Sequence, residues 1–263
     1  MARLTPAFAS AVPLALMLLA TAAPAGALAQ PAAELPDVLK NTIKFYSTLT
    51  SYSDTGTVRT ETAGTDDDAR FSTYFRRATR DLYFDYQSMK SVTRSTKFAI
   101  DLSSYRRVIW MFKGEMQTYD FRTDAHEVIN ADGGGQVKAL QSANYASSGV
   151  AILIPSLIYS QSKLPSTVLQ IEEAQLAGSE DLDGHRCHKV TGVAAGYYPS
   201  GARTNVRAVT LWIDAQTQLI RRVFEDTPKG YPAGGVMRLT ITFQPQANPT
   251  IDDARFQFKV PDR

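Results

Sequence analysis

The sequence predicts a mainly β (α+β) fold, a long antiparallel sheet with one apolar face covered by helices. Three observations carry this. From Tyr52 to Phe121 apolar residues recur at every second position in short runs separated by turn residues. The same period returns after Pro165. The segment between them, "GGGQVKALQSANYASSGVAILIPSLIYSQ" (133–161), is instead helix-friendly and strongly apolar.

Residues 1–29 read as a cleavable export signal. Arg3 supplies a basic start, "AVPLALMLLA" (11–20) an apolar stretch, and "ALA" (27–29) a small-x-small ending. That apolar stretch is shorter than the ~20 residues a spanning helix needs. No cysteine follows the cleavage region, so the expected product, 30–263, is a single soluble periplasmic domain without a lipid anchor. Of 28 basic residues, losing Arg3 leaves 27 against 26 acidic ones. Such a balance gives no footprint for nucleic acid. With one cysteine the chain can form no internal disulfide.

"LPDVLKNTIKFYSTLTSY" (35–52) places Leu35, Val38, Leu39, Thr42, Phe45, Tyr46 and Leu49 on one stripe of a first helix. Strands follow at "TGTVRTET", "ARFSTYFRRA", "RDLYFDYQ", "YRRVIWMFK" and "EMQTYDF", with "GTDDD" (64–68) and "KGE" (113–115) as turns. The middle segment holds two short helices, because Pro155 must kink one or begin another. Strands then return at 167–177, 185–194, 205–214, 218–226 and 235–244. Gly178, Gly184, "DAQT" (214–217) and "GYPAGG" (230–235) punctuate them.

Alternation selects the apolar face. Its members are Phe71 and Phe75; Leu82, Phe84 and Tyr86; Val108, Trp110 and Phe112; Val209, Leu211 and Ile213; Met237, Leu239, Ile241 and Phe243. The helical segments 35–49 and 136–161 are the available cover. Either a lipophilic cavity lies between lid and sheet or the space is a packed core, and composition leaves the two equal.

The heptapeptide "GHRCHKV" (184–190) invites a metal or redox reading. As the second strand of a hairpin turning at "DLDG" (181–184), it puts His185 and Cys187 on one face and His188 on the other. Two ligands make no zinc site, and no CxxC pair is present. Cys187 is read as a buried filler. "TDDDA" (65–69) lacks the ligand spacing of a calcium loop. "GGGQ" (133–136) lacks the lysine–serine pair of a phosphate loop. No nucleophile elbow and no acid–base carboxylate pair occurs, so no enzyme, metal or cofactor is expected.

In this order the stretches resemble the periplasmic outer-membrane lipoprotein carriers (LolA-like) and their relatives. "VLKNTIKFYSTLTSYSDTGTV" is similar to the family's opening helix and first strand, and "YFRRATRDLYFDY" to its second-to-third strand turn. "VIWMFKGEMQTYD" resembles its Trp-containing hairpin. "VTLWIDAQTQLIRRVFED" and "VMRLTITFQPQANPTIDDARFQFKVP" resemble its last strands and closing Phe-x-Phe-x-x-Pro. The resemblance covers nearly all of 30–263. It implies an incomplete antiparallel barrel (a half-barrel) under lid helices, with an apolar cavity for acyl chains.

Site residues follow from the two readings together. The cavity would be lined by Phe75, Phe84, Trp110, Phe112, Leu239 and Ile241 from the sheet and Leu153, Leu157 and Ile158 from the lid. The resemblance implies that Arg77 ties sheet to lid carbonyls, with Ala78 standing where the family has proline. Arg77 shares the parity of Phe71, Thr73 and Phe75, and buried arginine donors need partners. Arg106 is a second candidate at the concave rim. The implied function is a monomeric carrier or chaperone for lipids or lipid-modified proteins, with transient membrane-protein donors and acceptors. The alternative is a sensor or accessory subunit whose lid movement regulates a protein partner.

Overall fold

The computed structural model describes residues 35–62, 65–89, 105–129, 135–144, 147, 149–159, 166–197, 203–227 and 237–261. The expected export signal and the turn at 230–235 lie outside them. Ala32–Arg263 is one compact unit.

After α1 (Asp37–Thr48) come β1 (Ser51–Thr62), β2 (Thr65–Arg76), β3 (Asp81–Ser88), β4 (Arg106–Phe112), β5 (Glu115–Asp120) and β6 (Ala125–Ile129). Helices α2 (Gly135–Asn144) and α3 (Val150–Ile158) follow. Then come β7 (Ile171–Leu182), β8 (His185–Tyr197), β9 (Arg203–Asp214), β10 (Ile220–Thr227), β11 (Met237–Phe243), β12 (Gln246–Ala247) and a 3₁₀ turn, Asp253–Phe256.

All strands join one antiparallel sheet in the order β6-β5-β4-β3-β2-β1-β11-β10-β9-β8-β7, with β12 also on β1. The meander β1–β6 runs from the middle to one edge. The chain then passes through α2 and α3 to the far edge and meanders back until β11 meets β1. The sheet stays open, which is the half-barrel expected. Its apolar face and the helices share one core, from Leu39 and Tyr46 of α1 through Phe75, Phe84 and Ile241 to Leu153 and Leu157 of α3.

Local sequence explains the sharp points. Gly56 lies opposite Phe71 and Phe243, whose rings meet edge to face at 5.5 Å. A Cβ there would come within 2.4 Å of the Phe71 ring, so the aromatic cover requires glycine. Between β7 and β8 the loop Asp183–Gly184 has φ of 51° and 83°, the left-handed pair that closes a two-residue hairpin. That places GHRCHKV on a strand: Cys187 is buried beside Leu182 and Trp212, and burial pushes its thiol up.

Several expected elements are corrected. The aspartates of "GTDDD" are not a turn: β2 begins at Thr65, and Asp66, Asp67 and Asp68 pair with Glu61, Thr60 and Arg59. Gly178 does not end a strand but sits inside β7 at φ 107°, where the register against β8 shifts. Pro155 does not begin α3; it lies inside it. The strand β6 went unforeseen because its side chains are largely exposed and give no alternation.

The face of β4 is the largest correction. Leu82 pairs with Met111 and Phe84 with Ile109, so Ile109 and Met111 join the inner core. Trp110 and Phe112 therefore point to the outer face, where Val108, Trp110 and Tyr119 form a separate cluster. Both parities of β4 are apolar because the C-terminal segment covers its outer side. Phe258 packs 5.2 Å from Trp110 and 5.7 Å from Tyr119. Arg76 anchors the same segment, with an ion pair to Asp253 at 2.7 Å and its guanidinium over Phe256.

Phe258→Ala should uncover Trp110. In a Trp212→Phe background the emission should shift to the red, with a stability loss of about 1–3 kcal/mol for a half-buried ring. An unshifted spectrum would mean that this segment does not shield the indole.

Candidate ligand-binding face

The inner face is built by cross-strand rows. Phe75 lies between Tyr52 and Leu82, and Phe84 between Thr73 and Ile109. Beyond β1, Val58 pairs with Ile241, which pairs with Val223, and Val223 with Leu211. Against this face lies α3, "VAILIPSLI", in which all nine residues are buried. A helix apolar all round can stand only where it is covered on every side. The structure thus brings Phe75, Phe84, Leu239 and Ile241 into one core with Leu153, Leu157 and Ile158. It separates Trp110 and Phe112 from them.

The arginines divide in the same way. Arg106 shares the outer parity of Val108 and Trp110. Its Nη2 is 2.7 Å from Asp85 Oδ2, and its guanidinium lies 4.7 Å from the Phe121 ring centre. It is a clasp for the outer face, not a rim contact to the lid. Arg77 turns inward. Its Nε donates to Leu49 O at 2.6 Å, and its Nη2 to Tyr46 O at 3.3 Å and Ile158 O at 3.2 Å. These carbonyls lie at the C-terminal ends of α1 and α3, and neither helix has a basic residue in its last turn. Helix C-termini leave carbonyls without intrahelical donors and carry partial negative charge. One guanidinium therefore serves two helix ends at once.

Polar groups missed by sequence reasoning line the same face. Asp54 is buried; its Oδ2 accepts from the Tyr52 hydroxyl at 3.0 Å and its Oδ1 from Gln244 N at 2.9 Å. Burial pushes its carboxyl up to about 8, with those hydrogen bonds and Arg221 opposing. Tyr46 lies beside Tyr52, ring centres 5.8 Å apart, and its hydroxyl accepts from Ile220 N at 3.1 Å. Burial drives both phenols well above their ordinary range. Farther along, buried Glu225 pairs with Arg207 and accepts from Thr167, whose hydroxyl takes a 2.9 Å bond from Arg207. An acidic residue at an inward parity was the available signal for Asp54.

The sequence profile described as "Predicted periplasmic protein (DUF2092)" matches residues 78–263. The chain belongs to this family. No curated protein matches this DUF2092 member. Among solved structures it is similar to the lipoprotein LppX of Mycobacterium tuberculosis, at 16% identity over 82% of this chain and 98% of that one, TM-score 0.41. It is also similar to a putative outer membrane lipoprotein-sorting protein domain from Vibrio parahaemolyticus, at 6% identity over 84% and 94%, TM-score 0.34. A third likeness is to the MucA/MucB complex of Pseudomonas aeruginosa, at 12% identity over 85% and 60%, TM-score 0.41.

The buried carboxyl of Asp54 fixes a pH dependence. An unfolded aspartate titrates near ~3.9, whereas the folded one holds its proton to about 8. Below pH ~4 both states are protonated and the contribution is whole. Between there and 8 the native state binds more protons, so stability falls by up to ~1.4 kcal/mol per pH unit. Above 8 the loss is complete. Asp54→Asn should therefore gain on wild type in thermal melts from pH 5 to 8 and then hold level. Parallel curves for the two proteins would show that Asp54 is not held neutral.

Proposed function

We propose that the protein is a periplasmic binding protein that holds a lipid, or the acyl chain of a lipid-modified protein, between α3 and the inner face of its sheet. It is exported by the signal at 1–29, cleaved before Gln30 and left without a lipid anchor. As a monomer it receives its ligand from one membrane-associated partner and yields it to another. Phe75, Phe84, Leu239 and Ile241 form the floor of the site, and Leu153, Leu157 and Ile158 its lid.

The observation that carries this reading is the manner in which α3 is held. All nine of its side chains are apolar or buried, yet its last carbonyl is tied to the sheet through one guanidinium, Arg77. Helix backbone bonds are internal, so α3 can leave the sheet as a unit without losing them. What it would expose is apolar surface, worth ~25 cal/mol per Å². An acyl chain can cover such a surface. Native mass spectrometry of protein purified from membranes tests the assignment. A co-purifying lipid supports it, and a stoichiometric protein partner without lipid would point to a regulatory subunit instead.

Arg77→Leu keeps the apolar stem and removes the donors. Lid amides at 150–158 should exchange faster, the melting point should drop by an amount matching ~2–4 kcal/mol, and ligand release to an acceptor should slow while uptake persists. Unchanged exchange together with unchanged transfer would remove Arg77 from the lid mechanism.

Leu157→Glu separates a site that opens from a fixed core. Where the lid swings, water reaches the carboxylate, folding survives, and binding of a hydrophobic fluorescent probe collapses. In a fixed core the charge is trapped, at a cost of several kcal/mol that unfolds many domains. A variant melting far below a wild type that never binds the probe would end the lipid reading.

A further inference from the structure

On the side of the sheet opposite the lid, an open cleft of about 410 Å³ lies between β1, β2 and the chain from Gln244 to Arg255. Its floor carries Ser53, Thr55 and Tyr74, which alternate with the inward Tyr52, Asp54 and Phe75. Gln246, the cross-strand partner of Ser53, and Gln244 beside Thr55 extend this floor. We propose that this cleft is a second binding site, for a neutral hydroxyl-rich ligand of the glycan class.

The lining chemistry selects that class. Gln244 Oε1 accepts from Thr55 Oγ1 at 3.2 Å, and Gln246 Oε1 from Ser53 Oγ at 3.3 Å. Each carboxamide is thereby oriented with its oxygen on a hydroxyl of the floor. Its NH₂ group has no protein partner among the described residues and is left to donate elsewhere. Two oriented amides, two hydroxyls and the phenol of Tyr74, whose ring already packs against Tyr83, make alternating donors and acceptors. That combination matches the hydroxyl edges of a sugar ring. The guanidinium of Arg255 lies 5.7 Å from the Tyr74 ring centre, and the Asp252 carboxylate stands on the same rim. Their charges cancel, which selects against polyanions.

Other classes fit less well. A lipid would meet the hydroxyls and amides of the floor, with Pro249 and Ile251 as the aliphatic lining. An extended peptide that adds to a sheet needs a free strand edge for main-chain pairing. Here the floor is a sheet face, and β1 is already paired on both sides, by β2 and by β11 and β12. Side chains are what this floor offers. The volume lies within the ~300–1,000 Å³ of ordinary small-ligand sites. The cleft is independent of the lid, so the two assignments stand or fall separately.

Saturation-transfer NMR of the full mature chain with chitotetraose, cellotetraose and maltotetraose, and with tetraglycine as the peptide control, tests the proposal. At least one oligosaccharide should bind, and its affinity should fall at least tenfold in Gln244→Ala/Gln246→Ala and in Tyr74→Phe/Ser53→Ala. Melting points of these surface variants should stay close to wild type, and Leu157→Glu should leave sugar binding unchanged wherever it folds. No binding by any of the three sugars, binding that survives both cleft variants, or binding of tetraglycine alone would overturn it.

Discussion

Two helices in this molecule end at the same point, and one side chain answers for both. The last carbonyls of α1 and α3 converge on the Arg77 guanidinium, and neither helix supplies a cation of its own. Arg77 can do this because it directly follows β2. Its own N–H donates to Thr50 O at 2.8 Å, which locks the start of β1 to the end of β2. The register Tyr52↔Phe75 then fixes which way the side chain turns. The placing of α3 over the sheet thus follows from the pairing of two strands and the unmet acceptors of two helix ends.

The sheet around that point is apolar on both sides, and this decides what the sequence could disclose. On β2 and β3 the inner residues Phe71, Phe75, Leu82 and Phe84 alternate with Ser72, Tyr83 and Asp85, so parity alone finds the core. On β4 the alternatives are Ile109 and Met111 against Val108, Trp110 and Phe112. Side-chain size favours the second set, and the β3 register places the first inside. What tips the balance is the segment around Phe256 and Phe258, more than 140 positions away in sequence, which gives Trp110 its own cover. Period-2 patterning assumes one wet face. Where a distant strap dries the second face, it has no power to choose. Arg106 was misplaced for the same cause, since its guanidinium lies against Phe121 and, at 5.9 Å, Phe258 of that strap.

Helix order, sheet class and the inward parity of Arg77 were legible because each rests on local spacing. The buried polar groups were not. Asp54 carries a full carboxyl inside the core because Tyr52 and the Gln244 amide meet its two oxygens, and Gln244 is 190 positions distant. Glu225 is likewise tolerated through Arg207 and Thr167, the latter 58 positions away. A hydropathy pattern assigns such residues to the surface, since it registers the cost of burying a charge and not the partners that meet it.

Those polar groups are not scattered at random. They sit where covering segments meet the sheet or each other: Arg77 at the ends of α1 and α3, Tyr46 against Ile220 N, Ser156 of α3 against Ser166, and Thr167 on Glu225 and Arg207. An intact buried ion pair contributes little net stability when its desolvation is counted, and a hydrogen bond released to water is largely replaced; only the loss of one partner, which strands the other, is costly. The fastenings therefore fix where α3 lies more than how strongly it is held. The strength resides in apolar contact between α3 and rows such as Phe75, Phe84 and Ile241, and that contact is non-directional. A second apolar body can replace it with small net change, whereas water cannot. On these energetics α3 is held firmly against solvent and less firmly against another apolar surface.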